Sequence, residues 1–263
     1  MRVSSFIDRF YPKVSPEDLL THARALMRDL ALRLLPVVDE RGSLKGIVTR
    51  KHVLLLSSTK SNAVVRDVMD TPQLVFKPEE DALRAFKAMI ELDEWFVPVA
   101  KDPSYKYVGM LSLDSYLREM LRRESPCHEK RVEEFMRRDV TYVTPEDFIS
   151  RLWRKMVSLK YSGFPVVRGK ARTVVGIITE HDLLRKGYTR IELESESGPR
   201  HGARVKEAMT SPAIVVKPYN RLREAVELMV RNDFGRLPVT DDRGSLIGII
   251  DRADACSVYL KRY

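Results

Sequence analysis

Apolar and polar positions follow one pattern that recurs four times along the chain. A short apolar block containing a proline is followed, ten or eleven residues later, by a glycine that opens a second apolar block. The prolines are Pro36, Pro98, Pro165 and Pro238, and the glycines are Gly46, Gly109, Gly176 and Gly248. Self-similarity of this kind predicts a repeat architecture, with one small structural unit per repeat.

A third feature, which we call the anchor, precedes three of these blocks. The anchors occupy residues 65–69, 132–136 and 205–209, and each begins with valine and ends with methionine. In the first repeat the anchor is hard to recognise and is expected near Val3–Ile7. Because three features recur in the same order, we interpret the chain as four repeats, at residues 1–60, 61–124, 125–190 and 200–263.

The fourth repeat shows the predicted elements most clearly. Its anchor predicts a short helical turn, and apolar residues at helical spacing predict a helix over Leu222–Met229. Strands are expected at 213–216, 237–240 and 246–250, and the last two form a hairpin. Asp251 is expected to cap a final helix that runs towards Leu260. The order is therefore β-α-β-β-α, and the other repeats follow it.

A repeat of about 60 residues buries little surface alone, so the repeats are expected to pair. We expect neighbours to pair, which gives one module from repeats 1 and 2 and another from repeats 3 and 4. A polar segment at 188–203 predicts a mobile loop between the last two repeats.

Composition excludes several classes of protein. The 263 residues include 46 basic and 37 acidic side chains, for a net charge of +9, and only two cysteines. Two cysteines rule out a disulfide scaffold and a cysteine zinc site. No apolar run has the length of a membrane helix, and the first ten residues do not resemble a signal peptide. We expect a cytoplasmic protein with no membrane partner and no metal.

The repeat, with its anchor, Pro-Val strand and Gly-h-h-Thr-x-x-Asp segment (h, apolar), resembles the cystathionine-β-synthase (CBS) domain. The resemblance covers nearly the whole chain. It implies an α/β fold in which paired repeats form two modules that pack as a flat disc, as in the nucleotide-sensing subunit of AMP-activated protein kinase. It also implies a non-catalytic regulator that binds an adenosine compound in clefts between paired repeats and acts on another protein.

The third repeat carries the family motif in full, from Gly176 to Asp182. The resemblance implies that Asp182 binds the ribose and Thr179 a phosphate, and that repeat 4 closes this main site with a phosphate-binding Arg236. The residues expected at this first site are Thr179, Asp182, Arg236, Gly235, His181, Ile178, Ala213 and Ile214, the last two as a wall for adenine. Helix capping alone is the alternative explanation for Thr179, as is an ordinary first-turn acid for Asp182.

The fourth repeat keeps the ribose carboxylate as Asp254 but has Asp251 in place of the threonine. A carboxylate there would repel a phosphate unless a cation bridges the two. This second site, closed by Ser162 and Gly163 with Thr141 and Tyr142 at the first strand, suits a nucleoside or S-adenosylmethionine.

The first two repeats depart from the motif. His52 follows Thr49 in the first, and Ser115 follows Ser112 in the second, with Asp114 one residue out of register. We expect weaker binding, a different ligand or a structural role there.

Charge is distributed unevenly between the two halves. Residues 1–124 have a net charge of +2, and residues 125–263 a net charge of +7. A positive cleft concentrates phosphates, so we expect a sensor of AMP, ADP or ATP. The alternatives are a nucleic-acid-binding regulator that uses the basic half, and a sensor of S-adenosylmethionine or adenosine. The expected protein partners are an unknown regulated protein and a second copy of the chain, as a homodimer.

Overall fold

Each repeat contains a helix, an antiparallel β-hairpin and a second helix. The computed structural model describes residues 1–54, 62–188 and 202–261, so most of the predicted loop at 188–203 lies outside the described residues. The helices are α1 (Leu20–Asp29), α2 (Arg50–Leu54), α3 (Ala82–Glu91), α4 (Leu113–Arg122), α5 (Ile149–Leu159), α6 (Glu180–Lys186), α7 (Val205–Ala208), α8 (Leu222–Arg231) and α9 (Arg252–Leu260). The strands are β1 (Leu34–Val38), β2 (Leu44–Thr49), β3 (Phe96–Lys101), β4 (Lys106–Ser112), β5 (Gly163–Arg168), β6 (Thr173–Thr179), β7 (Arg236–Thr240) and β8 (Leu246–Asp251).

The first predicted strand of each repeat is reduced to a single bridge. In repeat 4, only Val216 pairs, in parallel with Val239 of β7, and the other three repeats show the same arrangement. The prediction of a strand over 213–216 was therefore too long. Lys217 is followed by Pro218, which has no backbone N–H and cannot continue a ladder beyond this point.

The recurring proline occupies a strand position at which the hairpin does not need a backbone N–H as hydrogen-bond donor. Pro238 faces Ile249 across the hairpin, and its carbonyl accepts a hydrogen bond from the Val216 N–H on the outer side. The backbone groups of Ile249 turn the other way, towards Arg137. A proline at this position therefore costs no hydrogen bond of the hairpin, which explains how a central strand accommodates it.

Each anchor packs on the hairpin of a neighbouring repeat and not on its own. The anchor of repeat 4 is followed by Thr210, which exchanges two backbone hydrogen bonds with Ile177 of repeat 3. Repeats 1 and 2 exchange anchors in this way, and so do repeats 3 and 4. In each case the residue after the anchor forms a β-bridge with the hairpin of the other repeat: Asp8 with Met110, Asp70 with Ile47, Arg137 with Ile249, and Thr210 with Ile177. Each hairpin thus has both edges covered. The anchor expected near Val3–Ile7 in repeat 1 begins with the short 3-10 helix Val3–Ser5, and Asp8 follows it at the bridge.

The recurring glycine permits this close contact. A Cβ added to Gly176 would lie 2.8 Å from the Thr210 carbonyl oxygen and 3.0 Å from the Met209 sulfur. The same close contact recurs in the other repeats. A Cβ added to Gly46, Gly109 or Gly248 would also meet the anchor segment that packs on its hairpin. The pairing of anchor and glycine explains why the two features recur in register.

The described residues form two compact units. Each combines the helix and hairpin regions of two repeats that are not neighbours in sequence with the leading segments of the other two. The first unit comprises 1–11, 72–140 and 214–261, and the second comprises 12–54, 62–71, 141–188 and 202–213. Repeats 2 and 4 share one hydrophobic core, built from α3, α4, α8 and α9. Repeats 1 and 3 share the other, built from α1, α2, α5 and α6. The helices therefore pack in alternating order, whereas the exchanged anchors supply contacts between consecutive repeats.

Replacing Gly176 by alanine should destabilise the protein, because the new methyl group would press on the anchor backbone. We expect the free energy of unfolding to fall by about 1–3 kcal/mol, the usual cost of overpacking. The control is Gly202→Ala, because Gly202 has open space around its Cα; its effect should stay within about 0.5 kcal/mol. Urea unfolding followed by circular dichroism measures both. Equal effects would show that the anchor contact does not depend on glycine.

Candidate functional site

The family motif of repeat 3 forms a closed hydrogen-bonded corner between β6 and α6. Thr179 is the N-cap of α6, and its hydroxyl oxygen accepts the Asp182 N–H at 3.2 Å. In return, Asp182 Oδ2 accepts the Thr179 N–H at 2.9 Å and the Thr179 hydroxyl at 2.6 Å. The two residues predicted to bind ribose and phosphate therefore lie in direct contact. Thr179 also caps the helix, as the alternative explanation for this residue requires.

The second oxygen of Asp182 contacts the exchanged anchor. Thr210 donates its hydroxyl to Asp182 Oδ1 at 2.8 Å, and an Arg185 nitrogen lies 3.8 Å from the same oxygen. Asp182 is only 5% exposed, so these donors matter for keeping a carboxylate there. Sequence reasoning missed Thr210. Its position directly after the anchor methionine was the available signal, but only the exchange of anchors brings it to Asp182.

The other residues of the first site divide between the two units. In the second unit, His181 and Ala213 are half-buried, whereas Ile178 is fully buried in the hydrophobic core. The side chain of Ile178 therefore packs in the core, and its role as a ligand contact stays a prediction.

Gly235, Arg236 and Ile214 belong to the first unit. The Arg236 guanidinium lies 5.9 Å from the centre of the Trp95 ring, a cation–π distance. Ile214 is 44% exposed, so its side chain is accessible to a ligand.

In repeat 4, a cation from the protein bridges the two carboxylates. Arg137, the residue after the anchor of repeat 3, donates to Asp251 Oδ2, and its Nε lies 3.3 Å from Asp254 Oδ2. Asp251 and Asp254 also cap each other through backbone N–H groups, at 2.9 and 3.0 Å. The chain itself thus places a cation between Asp251 and Asp254.

The Asp254 carboxyl has a strongly perturbed pKa. Burial and the nearby charge of Asp251 raise its pKa from 3.8 to about 7, and Arg137 opposes that rise. Like charges at a shared site disfavour ionisation of one partner. Asp254 is therefore partly protonated near neutral pH.

The residues expected to close the second site lie in the second unit beside the motif of their own repeat. Gly163 is opposite Thr179 in the hairpin, and the Ser162 carbonyl accepts the Glu180 N–H. Thr141 and Tyr142 are half-buried. The Tyr142 carbonyl accepts a hydrogen bond from the Lys155 ammonium at 2.9 Å, and the Arg172 guanidinium lies 6.0 Å from the Tyr142 ring centre. Two cations therefore flank this segment.

The first repeat has a pair at the same two positions as the third, but the carboxylate lies on the other partner. His52 Nδ1 accepts the Thr49 N–H at 3.1 Å, and His52 Nε2 lies 3.1 Å from Asp70 Oδ2. The carboxylate is supplied by the anchor, and the histidine occupies the usual aspartate position.

In the second repeat, serine hydroxyls occupy the threonine and aspartate positions of the motif. The Ser115 hydroxyl donates to the Ser112 carbonyl at 2.7 Å. Asp114, one residue out of register, instead faces the buried Arg252, with 3.4 Å between charged atoms. It therefore belongs to the packing between repeats 2 and 4.

Two kinds of feature are absent from the residues that the structure describes. No group of three or more histidine, cysteine, aspartate or glutamate side chains within 1–54, 62–188 and 202–261 could hold a metal ion. Within the same ranges, no helix combines the length and apolar character that crossing a membrane requires.

Comparison with known proteins identifies the repeat. The family model of the CBS domain matches residues 3–58, 65–122, 132–188 and 205–261. These four matches together span most of the chain and correspond to the four repeats.

Three relatives illustrate the range of similarity. Protein MJ1225 of Methanocaldococcus jannaschii is 23% identical over 274 residues, 94% of each chain. Its crystal structure, described as that of a proposed archaeal homologue of g-AMPK, has a TM-score of 0.85 at 22% identity and covers 98% of this chain and 100% of that one. An uncharacterised conserved protein from Pyrococcus horikoshii has a TM-score of 0.65 at 26% identity, covering 98% and 99%. Inosine-5'-monophosphate dehydrogenase of Korarchaeum cryptofilum is 36% identical over 125 residues, 48% of this chain but only 23% of the enzyme.

The raised pKa of Asp254 can be measured directly. In a carboxyl-detected NMR titration, Asp254 should titrate near pH 7, and Arg137→Met should raise that midpoint because it removes the charge that favours the carboxylate. Asp241 is the internal reference: backbone N–H groups of Ser245 and Arg243 hold its pKa below the ordinary value. A wild-type midpoint for Asp254 near 4, the usual aspartate range, would contradict the described cluster.

Proposed function

Because the chain belongs to the CBS domain family, we propose that it is a non-catalytic regulatory protein that binds an adenosine nucleotide, AMP, ADP or ATP. In this proposal Asp182 binds the ribose hydroxyls and Thr179 contacts a phosphate. Ligand binding changes a surface that the protein offers to a regulated partner, as expected when a ligand favours one conformation over another.

The observation that carries the proposal is the state of the Asp182 carboxylate. It is buried and held in one orientation by Thr179 and Thr210, and within residues 1–54, 62–188 and 202–261 no cation lies closer to it than the Arg185 nitrogen at 3.8 Å. A carboxylate has about four acceptor positions, and the described N–H and O–H donors occupy three of them. Acceptor capacity thus remains for a ligand hydroxyl, and the hydroxyl of Thr210 can exchange for a second one.

The remaining contacts of the ligand follow from the family resemblance. Arg236 and Gly235 would contact phosphate, and Ala213 and Ile214 would contact adenine. His181 would contribute from the same first turn as Asp182.

The basic half of the chain supports a small anionic ligand better than nucleic acid. Many of its cations are paired with acids nearby, as in Arg204 and Lys206 with Glu146, or Arg223 with Glu227. Paired cations contribute less to binding a long polyanion, because each must first leave its carboxylate.

The similarity to inosine-5'-monophosphate dehydrogenase does not favour an enzyme. The matched segment of 125 residues is 23% of that protein, and it lies within the CBS repeats of this chain. The proposal therefore assigns the chain a regulatory role and no turnover.

Calorimetry with AMP, ADP, ATP and S-adenosylmethionine tests this function. We expect micromolar binding of at least one nucleotide. Asp182→Ala should weaken it by roughly 1.5–3 kcal/mol, about 10- to 150-fold, the range of charged hydrogen bonds. Asp182→Asn, which keeps the side-chain shape, should also weaken binding.

The control is Asp242→Ala, which removes an exposed carboxylate from the last hairpin turn. It should bind like the wild type, and urea unfolding should confirm that all variants fold. Unchanged binding in both Asp182 variants would refute the assignment of the site.

A further inference from the structure

The residue directly after each anchor occupies an equivalent position in every repeat. Its backbone bridges the strand that leads into the motif, and in three repeats its side chain meets the residue at the aspartate position of that motif. The pairs are Thr210 with Asp182, Arg137 with Asp254, and Asp70 with His52. In these three repeats, the exchange of anchors thus places one side chain in contact with the motif.

In repeat 3 this residue is neutral. Thr210 offers one hydroxyl donor to Asp182 Oδ1 and adds no charge. The carboxylate keeps its negative charge and its remaining acceptor capacity, and a ligand hydroxyl can take the place of the threonine hydroxyl at little electrostatic cost.

In repeat 4 the equivalent residue is a cation. Arg137 holds Asp251 and Asp254 through the same guanidinium, and the Oδ2 atom of Asp254 that faces it also accepts the Asp251 N–H. A neutral ligand hydroxyl that approaches this oxygen must displace a charged donor. Charge-assisted hydrogen bonds are roughly twice as strong as neutral ones, so the exchange is unfavourable.

We propose that the residue after each anchor selects which motifs bind ligand: Thr210 leaves Asp182 open to the diol of an adenosine compound, and Arg137 keeps Asp254 closed. The inference rests on the proposed function, because it takes Asp182 as the ribose contact. It makes Thr210 and Arg137 specificity-determining residues, and it predicts one occupied motif of this kind per chain, although both repeats 3 and 4 carry the aspartate.

The test exchanges the two residues in the full-length chain and measures the stoichiometry and affinity of AMP by calorimetry, with ATP and S-adenosylmethionine in parallel. The wild type should bind one AMP. Thr210→Arg should lose at least tenfold in affinity, and Arg137→Thr should bind two AMP. The double variant, Thr210→Arg with Arg137→Thr, should bind one AMP, and adding Asp254→Ala should abolish that binding.

Conservative variants test whether Thr210 and Arg137 determine ligand binding through their chemistry or only stabilise the fold. Thr210→Ser keeps the hydroxyl, and Arg137→Lys keeps the cation; both should behave like the wild type. Should Arg137→Thr fold poorly, because it leaves two carboxylates unbalanced, Arg137→Thr combined with Asp251→Thr restores the threonine and aspartate arrangement of repeat 3 and should also bind two AMP.

Two results would overturn the inference, and they are distinguishable from failure of the proposed function. If Asp182→Ala abolishes binding while Thr210→Arg binds with wild-type affinity, or while the folded Arg137 variants still bind one AMP, the selection is wrong and the ribose assignment stands. If Asp182→Ala binds like the wild type, or the wild type binds none of the probes, the proposed function fails and the inference with it.

Discussion

The structure depends on one recurring interaction, the pair of backbone hydrogen bonds between an exchanged anchor and the glycine-led strand of a neighbouring repeat. Thr210 and Ile177 make it in repeat 3, and Arg137 and Ile249 in repeat 4. It covers the open edge of each hairpin, and it demands a glycine beside the anchor. It also carries a polar side chain to the first turn of the following helix, where the chemistry of each motif is decided.

That side chain gives three of the four similar repeats different properties. Asp182 faces a neutral threonine, Asp254 faces an arginine and His52 faces an aspartate. The fold is the same around each pair, so the differences lie in charge and donor strength and not in backbone geometry. A protein built in this way can keep four structural repeats while it uses only some of them to bind ligand.

Much of the fold was predictable from the sequence, because local patterns decide it. The helix beginning at Leu222, the hairpin strands and the cap at Asp251 follow from apolar spacing and from the preference of aspartate for N-caps. The exchange of anchors was not predictable, because each anchor has the same valine and methionine and fits any of the hairpins. Thr210 and Arg137 were missed for this reason, since their partners lie 28 and 114 residues away. The face on which Ile178 lies was equally hidden, because a uniformly apolar strand has no alternation to indicate its buried side.

The central claim is that Asp182 recognises the ribose of an adenosine nucleotide while Arg137 keeps Asp254 closed. A crystal structure of the full-length protein grown with AMP tests it most directly. The account predicts both ribose hydroxyls within hydrogen-bond distance of the Asp182 carboxylate, and Arg137 still in contact with Asp251 and Asp254. A ribose bound at Asp254, or AMP bound away from Asp182, would contradict it.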